Sequence, residues 1–306
     1  MSAQVRWFAR YLRAGLGWFR AFPPGSCSPS STERWIPIMM NRPLRRRGAL
    51  ITLAVLALFT LGVPASAASR PVRPKPTIVL VHGAWADASS WSDVTGLLQR
   101  LGYTVLAAPN PLRGLGSDAA YLSAFLDQRT SGPVVLVGHS YGGAVVTNAA
   151  GTDPDVKALV YVNAFAPDKG ETVLGLQGGG DPSALFDVVA YPGAPAGDVD
   201  LYIKQAVFPQ AFAGDLPAAT AARLAAGQRP IALSALQEPS GAPAWKTLPS
   251  WYLVGTKDGI LPPSLQLTMA NRAHSHVTEV AASHLSMLSR PQAVVDVIVA
   301  AARSVR

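Results

Sequence analysis

The segment Val134-Val-Leu-Val-Gly138-His139-Ser140-Tyr141-Gly142-Gly143-Ala-Val-Val-Thr-Asn-Ala149 runs from an uninterrupted aliphatic stretch through a Gly-x-Ser-x-Gly turn into a second apolar stretch. Consecutive β-branched and aliphatic residues suit a strand covered on both faces, and the stretch after the turn suits a helix packed back against it. Strand, tight turn and helix in that order put the Ser140 side chain at the tip of the turn, above the carboxyl edge of a sheet. Gly138 and Gly142 flank it because a chain folding back this sharply leaves no room for side chains. The N-terminal amides of the helix point at the same place. A phosphate-binding loop would need Gly-Lys-Ser/Thr here, and none follows.

The same alternation extends in both directions. Strands are expected at Thr77–Val81, Thr104–Ala107, Val134–Val137, Ala158–Val162, Trp251–Val254 and Val277–Val280, and helices at 90–101, 117–129, 141–150, 264–272 and 291–303. This predicts an α/β domain over residues 77–306: a mostly parallel sheet of about six strands, each buried on both faces, flanked by helices. Residues 165–248 break the rhythm with Ala, Gly, Pro and scattered aromatics, and read as a helical cap with apolar periodicity at 201–212 and 216–226.

The formal charge of +8 suggests a polyanion partner until its distribution is counted. Nine Arg and one Glu in residues 1–67 account for all of it, and residues 68–306 hold seventeen basic and seventeen acidic groups. No nucleic-acid partner is expected of the neutral part. The single Cys27 also precedes residue 68, which leaves no disulfide, thiolate nucleophile or Cys-held metal beyond it.

Residues 40–67 have the layout of a cleavable signal peptide: Arg42, Arg45, Arg46 and Arg47, an uncharged run from Gly48 to Val63, then Ala65-Ser66-Ala67. The run is shorter than the roughly 20 residues that span a bilayer, so cleavage after Ala67, export and no stable membrane anchor are expected. Arg46-Arg47 does not distinguish general from twin-arginine export. Residues 1–39 read as a mis-assigned start before Met39 or Met40, or as an N-terminal extension whose interleaved aromatic and Arg residues suit a membrane surface. Residues 68–76 form a Pro-rich lead-in.

A serine hydroxyl needs an imidazole to take its proton and a carboxylate to orient that imidazole. His284 follows the last expected strand, in Ala282-Ser-His284-Leu-Ser-Met-Leu-Ser-Arg-Pro291, at the edge where ligands meet open α/β sheets. It is the expected general base. His82, His139, His274 and His276 read as structural or surface residues. Asp258, directly after the fifth strand, is the expected orienting acid, with Asp168 the competitor. The amides of Ala84, in Val81-His-Gly83-Ala84-Trp85, and of Tyr141 are the expected oxyanion-hole donors. Trp85 and Trp91 read as wall and core.

With these residues in place the chain resembles the α/β-hydrolase superfamily across 77–306. The His82-Gly-Ala-Trp, Gly138-His-Ser-Tyr-Gly-Gly and Ser283-His-Leu-Ser-Met-Leu-Ser-Arg-Pro segments are similar to the small carboxylesterases related to plant methylesterases and hydroxynitrile lyases. The resemblance implies a serine esterase with a cap before the last two strands and with no cofactor or metal. The lyase branch typically carries Thr at position 83 and Lys at position 285, where this chain has Gly83 and Leu285. Both departures favour ester hydrolysis, and Ser140 disfavours dehalogenases and epoxide hydrolases, which use Asp there.

The expected function is therefore hydrolysis of small or medium apolar carboxylic esters through an acyl-enzyme. The competing classes are a non-hydrolytic enzyme using the same triad, such as a perhydrolase or C–C lyase, and a catalytically silent ligand-binding member of the fold. For export, the expected outcome of intact-mass analysis is a secreted chain beginning at Ala68. A secreted chain that retains Cys27 overturns the signal-peptide reading.

Overall fold

The computed structural model describes residues 74–178 and 182–305. The signal-peptide segment, the preceding extension and residues 68–73 of the lead-in lie outside the described residues. In chain order the strands are β1 (Thr77–Val81), β2 (Val105–Ala108), β3 (Val134–His139), β4 (Val156–Val162), β5 (Phe186–Val189), β6 (Asp200–Ile203), β7 (Ile231–Ala232), β8 (Ser250–Gly255) and β9 (His276–Val280). The helices are α1 (Ser92–Arg100), α2 (Leu115–Arg129), α3 (Tyr141–Ala149), α4 (Val173–Leu176), α5 (Pro182–Leu185), α6 (Phe208–Ala211), α7 (Ala218–Ala226), α8 (Leu233–Gln237), α9 (Pro263–Arg272), α10 (Ser286–Ser289) and α11 (Pro291–Ser304).

Six strands form one sheet in the order β2-β1-β3-β4-β8-β9, every neighbouring pair parallel. The chain leaves β1 toward one edge to make β2, then returns to the other side of β1 to make β3. That reversal opens a crevice between the carboxyl ends of β1 and β3, where open α/β sheets hold their ligands. Helix α11 packs on α1 and across β3, β4 and β8, while α3 packs on α2, β1 and β3. β3 is buried along its whole length. Fully burying a residue such as Leu136 contributes about 1.5–3 kcal/mol, which explains why the aliphatic runs became the central strands.

Burial on both faces does not extend to the sheet edges. β9 is exposed from His276 to Glu279, and β2 is only partly covered. An outermost strand has one neighbour in the sheet, and helix contacts cover it only in part.

The cap also differs from an all-helical insertion. It contains short helices, but β5, β6 and β7 form a three-stranded antiparallel sheet, with Phe186 opposite Ile203 and Leu201 opposite Ile231. The apolar spacing at 201–212 divides between β6 and the single turn α6, whereas 216–226 does contain a helix, α7. Strands of four, four and two residues are too short to show a period of two, and β7 pairs across about thirty intervening residues, so local pattern does not reveal them.

Leu136→Ala is expected to cost about 2–5 kcal/mol in urea unfolding, and Val277→Ala on the exposed edge under about 0.5 kcal/mol. Equal losses at the two positions would contradict this division of the sheet.

Candidate active site

The Gly-x-Ser-x-Gly turn forms a sharp elbow between β3 and α3. Ser140 adopts φ 52° and ψ −126°, a left-handed conformation that costs a non-glycine residue about 1–3 kcal/mol. The turn is held by its own carbonyl: Ser140 C=O accepts hydrogen bonds from Gly143 N–H at 2.9 Å and Phe165 N–H at 3.1 Å. A Cβ on Gly138 would lie 2.6 Å from Gly142 C=O, and one on Gly142 would lie 2.6 Å from Val81 C=O. Close approach of main chain leaves no room for a side chain at either glycine. Ser140 itself is buried.

Asp258 and His284 come together at the ends of β8 and β9. The His284 Nδ1–H donates to Asp258 Oδ2 at 2.8 Å, and both side chains are fully buried. With Nδ1 carrying the proton, the Nε2 lone pair is the basic one. Nε2 has no hydrogen-bond partner among the described residues, so Ser140 and His284 are not hydrogen-bonded in this state. The two are instead linked through the residue before the serine. The His139 Nε2–H donates to His284 C=O at 2.9 Å, and the two imidazole rings lie 4.8 Å apart.

Five donors converge on the Asp258 carboxylate. Besides His284, Asn163 Nδ2 and Gln266 Nε2 each donate to Oδ2 at 3.0 Å, and the amides of Ile260 and Leu261 donate to Oδ1 at 2.9 Å. Burial alone pushes the carboxyl up. Interaction with His284, with the Leu261 amide and Asn163, outweighs it and holds Asp258 below the ordinary Asp value.

The remaining candidates separate clearly. Among the described residues no acceptor engages the Ala84 or Tyr141 amide, and Gly83 brings the first loop against the nucleophile, its Cβ position 2.6 Å from Ser140 Cβ. Asp168 has no contact with His284. It pairs with Lys246 at 2.5 Å on the surface. His82 and His139 are buried, and burial lowers both below the usual His value, His139 strongly, with His284 adding to the effect. His274 and His276 are exposed. Trp91 is core against the His139 ring at 6.3 Å. Trp85 is wall, stacked on Phe186 at 5.2 Å with its Nε1–H donating to Leu201 C=O at 2.8 Å. Among the described residues no cluster of three His, Cys, Asp or Glu side chains could hold a metal ion.

Three polar groups around the site were missed in the sequence. Asn163, at φ 45° after β4, donates to Asp258 and to Ser283 C=O, and accepts from Ser286 Oγ at 2.6 Å. A polar residue ending an apolar strand at the carboxyl edge was the available signal. Gln266 lies on α9 with no local feature to mark it. Asp118, in the first turn of α2, is buried and accepts the Tyr141 hydroxyl at 2.8 Å. Burial raises its carboxyl despite that bond.

The chain belongs to the alpha/beta hydrolase family, whose model matches residues 78–297. It is 34% identical over 113 residues to the carbendazim hydrolyzing esterase of Nocardioides sp. (strain SG-4G), covering 32% of this chain and 46% of that protein. It is 36% identical over 108 residues to Methylesterase 2 of Arabidopsis thaliana, covering 31% and 41%. The chain thus spans about half the length of these relatives or less. An extracellular alpha/beta-hydrolase from a Paenibacillus species shares the fold, with a TM-score of 0.64 and 22% identity over 74% of this chain and 98% of that one. The chain is also 34% identical over 107 residues to the alpha-hydroxynitrile lyase of Arabidopsis thaliana, covering 31% of this chain and 42% of that protein, so it is related to both plant groups.

An Asp held below its unfolded-state value contributes stability that is present above the ordinary Asp range and is lost as pH falls through the folded-state value. Gln266→Leu, which removes one donor from Asp258, is expected to cost about 1–3 kcal/mol at neutral pH. Urea unfolding should show the gap to wild type narrowing in acid; a gap independent of pH would place the effect elsewhere.

Proposed function

We propose that this protein is an exported serine carboxylesterase acting on small or medium apolar esters. The observation that carries the reading is the buried Asp258–His284 pair, with Nε2 unpartnered, together with a serine held in a strained elbow whose preceding residue, His139, bonds the His284 carbonyl. In the proposed reaction, His284 Nε2 takes the Ser140 proton as Oγ attacks the ester carbonyl. The tetrahedral oxyanion receives the Ala84 and Tyr141 amides, each donor contributing about 3 kcal/mol in the transition state. His284 returns the proton to the departing alkoxide, leaving an acyl-Ser140. Water, deprotonated by His284, then releases the carboxylic acid and restores the serine. Asp258 keeps its negative charge throughout and stabilises the transient imidazolium.

The surroundings support an apolar substrate. Beside the site lies a pocket of about 180 Å³ whose wall is apolar at Trp85, Phe208, Phe212 and Leu285, with the charged Asp87 and Arg223 also in its lining. Ester hydrolysis is favoured over cyanohydrin cleavage at position 83 as well, because any side chain there would have to clear Ser140 Cβ and His139 C=O, 2.6 and 2.9 Å away. Position 285 holds Leu rather than Lys. Export rests on the signal-peptide layout of residues 40–67.

A chain-length series of chromogenic esters tests the reading. Turnover is expected, greatest for short and medium acyl chains, with Ser140→Ala lowering kcat by about 10⁴-fold or more. Labelling of Ser140 by a fluorophosphonate without turnover of any ester would overturn hydrolysis in favour of another triad reaction. Absence of labelling would mark a silent binding protein.

A further inference from the structure

One cap residue reaches the loop that carries His284. Asp215 lies between α6 and α7, and its carboxylate accepts both donors of Ser283: the main-chain N–H at 3.0 Å and the side-chain hydroxyl. On the opposite side, Ser283 C=O accepts from Asn163 Nδ2 at 3.3 Å. Every polar group of the residue before His284 is thus held, two of them from the cap. Burial works against the Asp215 charge, but the hydrogen bonds from Ser283, aided by nearby Arg290, keep the carboxyl below the ordinary Asp value, so it is ionised at neutral pH.

The cap segment that delivers Asp215 is itself fitted to the site. The Phe212 ring lies 4.8 Å from the His284 imidazole and 4.8 Å from Phe208. Ala211 C=O sits against Gly259, beside Asp258, so closely that a Cβ there would be 2.9 Å away. One short stretch therefore touches the acid loop, the imidazole face and the loop before the base. The Asp258 bond fixes Nδ1, and the His139 and Phe212 rings lie against the imidazole, so its remaining freedom comes from the main chain that carries it. The direction of Nε2 depends on where the main chain at residues 283 and 284 is held.

We propose that Asp215 is a positioning residue for His284: from the cap, its carboxylate fixes Ser283 and so sets the direction in which the imidazole presents Nε2 to Ser140. This rests on the serine-esterase reading above. The placement makes cap seating and base alignment one event, because the segment that covers the imidazole also holds its main chain. A 1 Å displacement of such a group lowers a rate by about 100-fold, the scale expected when both hydrogen bonds are lost.

The test measures kcat and KM for a short-chain chromogenic ester in the full-length protein, per active site titrated with a fluorophosphonate, for Asp215→Ala, Asp215→Asn and Ser283→Ala. Asp215→Ala should lower kcat about 10- to 100-fold with KM within about twofold, and slow phosphonylation of Ser140 in parallel. Ser283→Ala, which keeps the main-chain bond, should lose less. Asp215→Asn, whose amide oxygen still accepts one donor, should recover part of the loss. Wild-type kcat per titrated site in Asp215→Ala, with only a lower Tm, would overturn the proposal by showing a purely structural role. An increase in kcat/KM for bulky esters at unchanged kcat would also overturn it, by making the contact a gate. Persistence of turnover in Ser140→Ala would instead remove the esterase reading itself, so the two failures are distinguishable.

Discussion

A carboxylate can be buried in a protein interior as an anion only if enough donors replace the water it has lost. Asp258 has five, drawn from the β8–α9 loop, from α9, from the end of β4 and from the loop after β9. Taking any of these elements away would leave a buried charge partly unsatisfied. The carboxylate is therefore both the electrostatic anchor of the imidazole and a fastening for the carboxyl ends of three neighbouring strands. Its tight solvation is also what keeps it charged, and so able to stabilise a passing imidazolium.

The nucleophile depends on a different constraint, the absence of space. Gly138, Gly142 and Gly83 stand where main chain from β1, β3 and α3 meets at separations that exclude a Cβ. β1 and β3 are paired neighbours in the sheet though separated in the chain, so the loop after one lies against the turn after the other. The strain at Ser140 is sustained by the helix behind it and by the Phe165 amide, which donates to the serine carbonyl.

The cap adds what the sheet cannot supply. Its Phe212 lies against the His284 imidazole and packs on Phe208 and on Trp85 of the loop after β1, apolar surroundings that strengthen each interaction inside. It also sends one carboxylate down to Ser283. Its own fold is built from non-local pairing of very short strands, so its shape is set by contact with the domain below rather than by strong local preference.

The chain's own pattern determined the parallel α/β architecture and the extent of its central strands, because aliphatic runs of four to seven residues bury enough area to override other choices. It also determined where Ser140, Asp258 and His284 lie relative to those strands, since each follows a strand directly. The bare edge β9, the small cap sheet, and the roles of Asn163, Gln266, Asp118 and Asp215 were decided by tertiary structure alone. A hydrogen bond between residues dozens of positions apart has no local periodicity, and whether a polar side chain is buried beside a charge depends on which surfaces the rest of the chain brings to cover it.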